Sequence, residues 1–117
     1  MIMKIGLRHK DRKIFVEVEK ATGLKSFIGL MFSSAENAKA LLFEFKHSEF
    51  WGMHSCFVFF DFVAVWTNSK GQVIGIKKVK PFQLYILPGK KFSKVVEIPI
   101  NQKYKKIIEK LVGKRKI

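Results

Sequence analysis

Three side chains near the centre of the chain have types and spacing that could support catalysis. His54 and Cys56 lie two residues apart, so a regular strand places both on one face, where they could form a nucleophile and its base. Asp61 could orient the histidine and complete a triad. However, Asp61 lies at odd spacing from both residues, and a regular strand points it to the opposite face unless a bulge intervenes. We therefore regard an enzyme as the least favoured function and assign no catalytic residue.

Asp61 is the more informative residue because it interrupts an otherwise apolar run over residues 57–66. A carboxylate buried in such a run costs several kcal/mol unless it is hydrogen-bonded, paired with a cation or protonated. Two interpretations remain open at this stage. Asp61 either satisfies backbone amides or a lysine at a strand end, or it faces a polar pocket.

Metal and cofactor chemistry find little support in the sequence. His9, His47 and His54 do not have the spacing of metal ligands, and Cys56 is the only cysteine. The eight glycines never cluster as a phosphate-binding loop requires. We expect neither a metal nor a cofactor.

Length and composition indicate one packed domain spanning residues 1–117. Hydrophobic residues make up 48% of the chain, including twelve Phe, which excludes a disordered tail. The longest apolar run is too short to cross a membrane, and the N-terminal segment lacks the apolar core of a signal peptide. These features, with a single cysteine, predict a soluble cytoplasmic protein.

The positive charge is concentrated in the second half of the chain. Residues 1–69 hold 9 Lys and Arg against 7 acids, whereas residues 70–117 hold 14 against 2. A basic stripe runs along the C-terminal segment and comprises Lys103, Lys106, Lys110, Lys114 and Arg115. Candidate groups for stacking on bases are Phe82, Tyr85, Phe92 and Tyr104. The partner could be a nucleic acid or another anionic surface. More often, such a stripe is the solvated side of a helix whose apolar side packs on the protein.

Hydrophobic patterning predicts several strands and two helices. Residues 14–20 alternate with Ile14, Val16 and Val18 inward, and residues 41–45 and 57–66 form further strands. A capping box at Ser33 and Glu36 predicts a short helix near residues 33–39. The turn at 68–71 predicts a returning strand over 72–79, and residues 83–87 pair with 94–98.

The last segment has the spacing of an amphipathic helix, capped by Asn101 and ended by Gly113. Its apolar face is the expected lid for one side of the strand at 57–66, which is apolar on both faces. Together the elements predict a mainly β protein. The expected architecture is a small antiparallel β-sandwich or barrel-like domain with a short helix near 33–39 and a C-terminal amphipathic helix.

The order and spacing of several short motifs resemble a prokaryotic family, domain of unknown function 192 or uncharacterised protein family 0127. The motifs lie at residues 29–32, 41–45, 53–61, 71–73, 81 and 96–99, and the resemblance covers roughly residues 14–115. It implies a small β-sandwich or barrel-like fold. The function of the family is not established.

The central block of this chain departs from the family pattern Trp-Met-Lys-Asn-Thr. Met53 and Asp61 match, whereas His54, Ser55 and Cys56 replace the Lys, Asn and Thr. The resemblance carries over Thr22, Met53, Asp61 and Glu97 as site residues. Adding Ser55, we predict a non-catalytic binding or accessory module with a small polar site near Asp61; the alternative is a basic nucleic-acid-associated protein.

Overall fold

The computed structural model describes residues 2–20, 38–49, 60–80 and 91–113, with only the backbone described for residues 45–49. These ranges contain six strands, a short 3-10 helix at Gln102–Tyr104 and one α-helix. The elements are β1 (Ile2–His9), β2 (Arg12–Lys20), β3 (Leu41–Glu49), β4 (Phe62–Thr67), β5 (Val73–Val79), β6 (Phe92–Pro99) and α1 (Lys105–Val112).

All six strands belong to one curled sheet with the order β1-β2-β3-β6-β4-β5. Neighbouring strands are antiparallel except β2 and β3, which run parallel. The curl brings the two outer strands together. At this closure the backbone N–H of Arg8 in β1 donates a 2.9 Å hydrogen bond to the carbonyl of Gly71, just before β5. The mainly β, barrel-like fold predicted from the sequence is confirmed.

Gly71 is required at this closure for two reasons. Its φ of +81° lies in the left-handed region, and a Cβ added there would lie 3.1 Å from the backbone oxygen of Gly6. The side chain of Asn68 holds the same turn, since its Oδ1 accepts hydrogen bonds from the N–H groups of Lys70 and Gln72. The turn predicted at 68–71 is confirmed.

The middle of the sheet is buried on both faces. On one face, which we call the helix layer, Val63, Val65, Val96 and Ile98 pack with the apolar side of α1. On the other, which we call the aromatic layer, alternate residues of the same strands pack with larger rings; its buried members are Ala38, Leu41, Phe60, Phe62, Ala64, Trp66, Val79, Phe92 and Val95. The C-terminal helix therefore covers one face of β4, as the sequence predicts.

Several predicted elements can be compared directly with the structure. The inward positions of β2 are Ile14, Val16 and Val18, as expected, while Phe15 points outward and is 55% exposed. The helix predicted near 33–39 falls largely outside the described residues, and Ala38 and Lys39 are not helical. Pro81 and the strand at 83–87 also lie outside the described ranges. The sequence analysis missed β1 entirely.

One buried hydrogen bond connects the C-terminal segment to the sheet. The side chain of Asn101 caps the 3-10 helix by accepting from the N–H of Tyr104 at 3.3 Å, as predicted for this residue. The Tyr104 hydroxyl, in turn, accepts a 2.8 Å hydrogen bond from the backbone N–H of Ala40, directly before β3. Tyr104 and Ala40 are both almost fully buried. The tyrosine therefore packs in the helix layer and also satisfies a buried backbone donor.

Replacing Tyr104 with Phe tests this connection. We expect Y104F to lower the free energy of unfolding by about 1–3 kcal/mol, because the buried N–H of Ala40 loses its acceptor. Urea unfolding measures the change. Phe15→Leu, an aromatic substitution at an exposed position, serves as the control and should alter stability by less than about 0.5 kcal/mol. Equal stability of Y104F and wild type would contradict the assignment.

Candidate functional site

Asp61 is located at a strand end, not inside a strand. It directly precedes β4, and its side chain is 39% exposed. Its Oδ2 lies 3.6 Å from Nζ of Lys78, and its backbone carbonyl accepts a 3.2 Å hydrogen bond from the N–H of Ile100. The expectation that Asp61 is buried within the apolar run is therefore wrong. The alternative that it pairs with a lysine at a strand end matches this geometry.

The Asp61–Lys78 pair contributes little to stability because both side chains are partly solvated. We expect Asp61→Asn to lower the free energy of unfolding by no more than about 1 kcal/mol, since the main-chain bond from Ile100 is unaffected. A double-mutant cycle with Lys78→Gln, measured by urea unfolding, isolates the pair. A coupling well above about 1 kcal/mol would show that Asp61 has a stronger structural role than its exposure indicates.

Glu97 is the carboxyl group that is truly buried. It lies in β6 between Leu41 of β3 and Ala64 of β4, two residues from Val95 and hence on the face of the aromatic layer. Its side chain is 5% exposed, and Oε1 has no hydrogen-bond partner among the described residues. Burial raises the pKa of Glu97 from 4.5 to about 8. At neutral pH the side chain is therefore mainly a protonated, uncharged carboxylic acid.

The raised pKa makes stability depend on pH in a definite direction. Folding raises the Glu97 pKa, so the protonated side chain contributes to the free energy of unfolding. This contribution is fully present below about pH 4.5 and is lost as the pH rises to about 8. The slope approaches about 1.4 kcal/mol per pH unit within that window. Glu97→Gln should remove this slope, as measured by urea unfolding across the pH range. Asp61→Asn should keep it, and identical slopes in wild type and E97Q would contradict the burial.

Of the predicted polar site, the described residues include only Asp61 and Glu97. Both lie along the β4–β6 ladder: Asp61 comes directly before the Phe62–Pro99 pair, and Glu97 lies opposite Ala64. The carboxylate of Asp61 pairs with Lys78, whereas Glu97 faces the aromatic layer. Thr22, Met53 and Ser55, together with the weighed pair His54 and Cys56, lie outside the described residues. The five-residue site remains a prediction.

The basic stripe of the C-terminal segment is solvated where it is described. Lys103, Lys106 and Lys110 are exposed, while Ile108 and Leu111 on the other side are buried. Lys114 and Arg115 lie outside the described ranges, as do Phe82 and Tyr85. Two of the predicted stacking groups are ruled out as such, because Phe92 and Tyr104 are each only 2% exposed and pack in the core.

A second basic region, which the sequence analysis did not single out, surrounds the β1–β2 hairpin. Lys10 and Asp11 form a two-residue turn in which both φ angles are positive, 51° and 62°. Grooves of about 620 and 680 Å³ flank this turn, and both are lined by His9, Lys10 and Arg12. Burial and, secondarily, Lys10 lower the pKa of His9, opposed by a hydrogen bond with the backbone of Leu111. The signal available in the sequence was that two of the three arginines lie in residues 8–12.

Neither a metal centre nor a membrane span is found in the part of the chain that the structure describes. Within it, no three His, Cys, Asp or Glu side chains cluster as metal ligands would. No helix in the same ranges is long and apolar enough to cross a membrane.

Comparison with known proteins identifies the family. The model of the DUF192 family, described as "Uncharacterized ACR", matches residues 5–110, nearly the whole chain and the same family that the motifs resemble. The chain belongs to DUF192. Within it, Asp61 at the start of β4 and Glu97 in β6 both lie in the matched region. A search of curated proteins finds no significant match.

Two solved structures share the DUF192 chain's fold. A protein of unknown function from Novosphingobium aromaticivorans superposes with a TM-score of 0.69 at 15% identity, covering 84% of this chain and 73% of that one. A protein described as a putative transcription regulator from Sinorhizobium meliloti gives 0.68 at 18% identity, covering 87% and 81%. At these identities the likeness establishes the fold alone.

Proposed function

We propose that this protein is a non-catalytic binding module whose ligand contacts the carboxyl group of Glu97. The observation that carries the proposal is the buried Oε1 of Glu97, which lacks a hydrogen-bond partner among the described residues. Buried polar atoms in folded proteins are nearly always hydrogen-bonded, and an unpaired one costs about 1–3 kcal/mol. A ligand donor to Oε1 would recover that free energy on binding.

The surroundings of Glu97 favour a mainly apolar ligand with one polar group. Phe62, Trp66 and Val95 belong to the aromatic layer on the same side of the sheet, so the body of the ligand meets apolar side chains. A protonated carboxyl group both donates and accepts, so an amide, which also does both, can pair with Oε1 whichever oxygen carries the proton, and an amine can donate to it. An anionic ligand is disfavoured because its charge would be buried in the aromatic layer without an opposite charge to offset the desolvation.

Asp61 has a secondary place in this proposal. Its pairing with Lys78 and its exposure support a role at the strand end, near the β4–β6 ladder that carries Glu97. Thr22 and Met53 complete the proposed site through the family resemblance, and Ser55 is added as a polar residue of the central block, where it replaces the family's Asn. The proposal includes no catalytic step, because no catalytic residue is assigned from the sequence.

Three matched probes test the proposal: hexylamine, hexanamide and hexanoate. Binding is followed by the carboxyl ¹³C shift of Glu97 in glutamate-labelled protein, assigned with Glu97→Gln. Hexylamine should lower the pKa of Glu97 from about 8, since the ammonium stabilises the ionised form. Hexanamide should shift the signal while the group stays protonated, and hexanoate should have no effect.

The two carboxyl variants separate a binding role from a structural one. Because E97Q has no Glu97 carboxyl signal, its binding is followed by isothermal titration calorimetry. E97Q should lose affinity for hexylamine and keep part of its affinity for hexanamide, because an amide side chain still donates and accepts but cannot ionise. Asp61→Asn should respond to hexylamine and hexanamide as wild type does. If neither of these two probes perturbs Glu97 in the folded protein, the proposed binding function is wrong and the residue is only a buried acid.

A further inference from the structure

The outer face of the β1–β2 hairpin combines an exposed aromatic ring with positive charge. In the strand register Phe15 lies directly opposite Gly6, so no cross-strand side chain covers the ring from that position. Phe15 is 55% exposed, the largest exposed fraction among the large apolar side chains that the structure describes. The next outward pair along the hairpin is Arg8 opposite Lys13, and both are exposed.

Lys13 connects the ring to this positive surface. Its Nζ lies 5.4 Å from the centroid of the Phe15 ring. Its aliphatic chain crosses the space above Gly6, because a Cβ on that glycine would lie 2.6 Å from Cε of Lys13. The glycine therefore leaves room for the lysine chain, whose ammonium lies over the exposed Phe15 ring.

The positive surface continues into the two grooves beside the hairpin turn. Arg8 and Lys13 line the first groove, together with Asn68 and Gln72 of the neighbouring turn. The second groove runs towards the end of α1. Taken together the grooves are lined by six cationic side chains and two acidic ones, Asp11 and Glu109; the cations are Arg8, Lys10, Arg12, Lys13, Lys78 and Lys110.

The hairpin is also held in place, so this surface does not need to form on binding. The backbone N–H of Arg8 donates to Gly71, which fixes β1 against the turn before β5. His9 meets the backbone of Leu111 at the end of α1. Because the backbone of the hairpin is already fixed, binding costs little backbone conformational entropy.

We propose that the β1–β2 hairpin binds single-stranded nucleic acid, with backbone phosphates in the grooves at Arg8 and Arg12 and an unpaired base stacked on Phe15. Arginine suits phosphate because its planar donors form paired hydrogen bonds. An exposed ring beside a cationic groove is the combination by which proteins bind single strands without reading sequence. A duplex keeps its bases stacked and offers no free face to Phe15. This inference concerns a different surface from Glu97 and does not rest on the function proposed above.

Fluorescence anisotropy with a labelled oligothymidylate of about 15 nucleotides tests the proposal. The logarithm of the affinity should fall linearly with the logarithm of salt concentration. Replacing Arg8 and Arg12 together with Gln should flatten that slope by about 1.4, since each lost phosphate contact contributes about 0.7 for a single strand. The matched control removes the same charge from the helix, as Lys103→Gln with Lys106→Gln, and should leave the slope nearly unchanged.

A second series separates base stacking from charge. Phe15→Ala should weaken binding roughly 5- to 150-fold, whereas Phe15→Trp should retain it and show stronger tryptophan fluorescence quenching than wild type. An abasic oligonucleotide of equal length should bind wild type as weakly as F15A binds the normal strand. F15A itself should bind both strands alike. Circular dichroism checks that these exposed substitutions leave the fold unchanged.

Four results would overturn the proposal. The first is no binding to the wild-type protein at low ionic strength. The second is an equal loss of slope in the arginine and lysine double variants, which would assign the charge effect to the whole surface. The third is unchanged binding by F15A. The fourth is equally tight binding to vesicles containing anionic lipid with the same pattern of losses, which would point to a membrane surface instead.

Discussion

The fold depends on one constraint: the side chains of β4 and β6 are buried on both faces of the sheet, in the helix layer on one face and in the aromatic layer on the other. Every side chain of β4 is buried, and β6 contributes Val96 and Ile98 to one layer and Val95 to the other. From Val95 to Pro99 every residue of β6 is buried, so this part of the strand has no solvated side on which to place a charge. The uncharged state of Glu97 follows from that geometry, and so does the need for a helix over the opposite face.

The two carboxyl groups of the site region show how strongly surroundings decide chemical state. Asp61 lies just beyond the Phe62–Pro99 end of the β4–β6 ladder, and Glu97 lies in the third pair from that same end, each among apolar neighbours in sequence. One step beyond the end of β4, Asp61 reaches solvent and Lys78. Inside β6, Glu97 reaches neither and keeps its proton. A ligand donor is therefore more valuable at Glu97, where water cannot satisfy the free oxygen.

Patterns that depend on local periodicity were predictable, and those that depend on strand ends or partners were not. The alternation of β2, the two apolar faces of β4, the Asn68 turn and the cap at Asn101 follow from residue type and spacing. The start of β4 does not, because apolar residues continue on both sides of Asp61. Glu97 interrupts the apolar run of β6 much as Asp61 interrupts its own, yet only the family resemblance drew attention to it. The β1–β2 hairpin was missed because its turn is Lys10-Asp11, without the glycine that usually marks positive φ.

The position of β6 has a consequence for how the chain folds. β6 is the last strand in the described part of the sequence, yet it lies between β3 and β4, which do not pair with each other. The β1–β2 and β4–β5 hairpins are local and can form early, whereas the two halves of the sheet join only after residues 92–99 have been synthesised. Until then β3 and β4 each present an unpaired apolar edge. The nascent protein is thus most exposed to misassociation just before its central strand arrives.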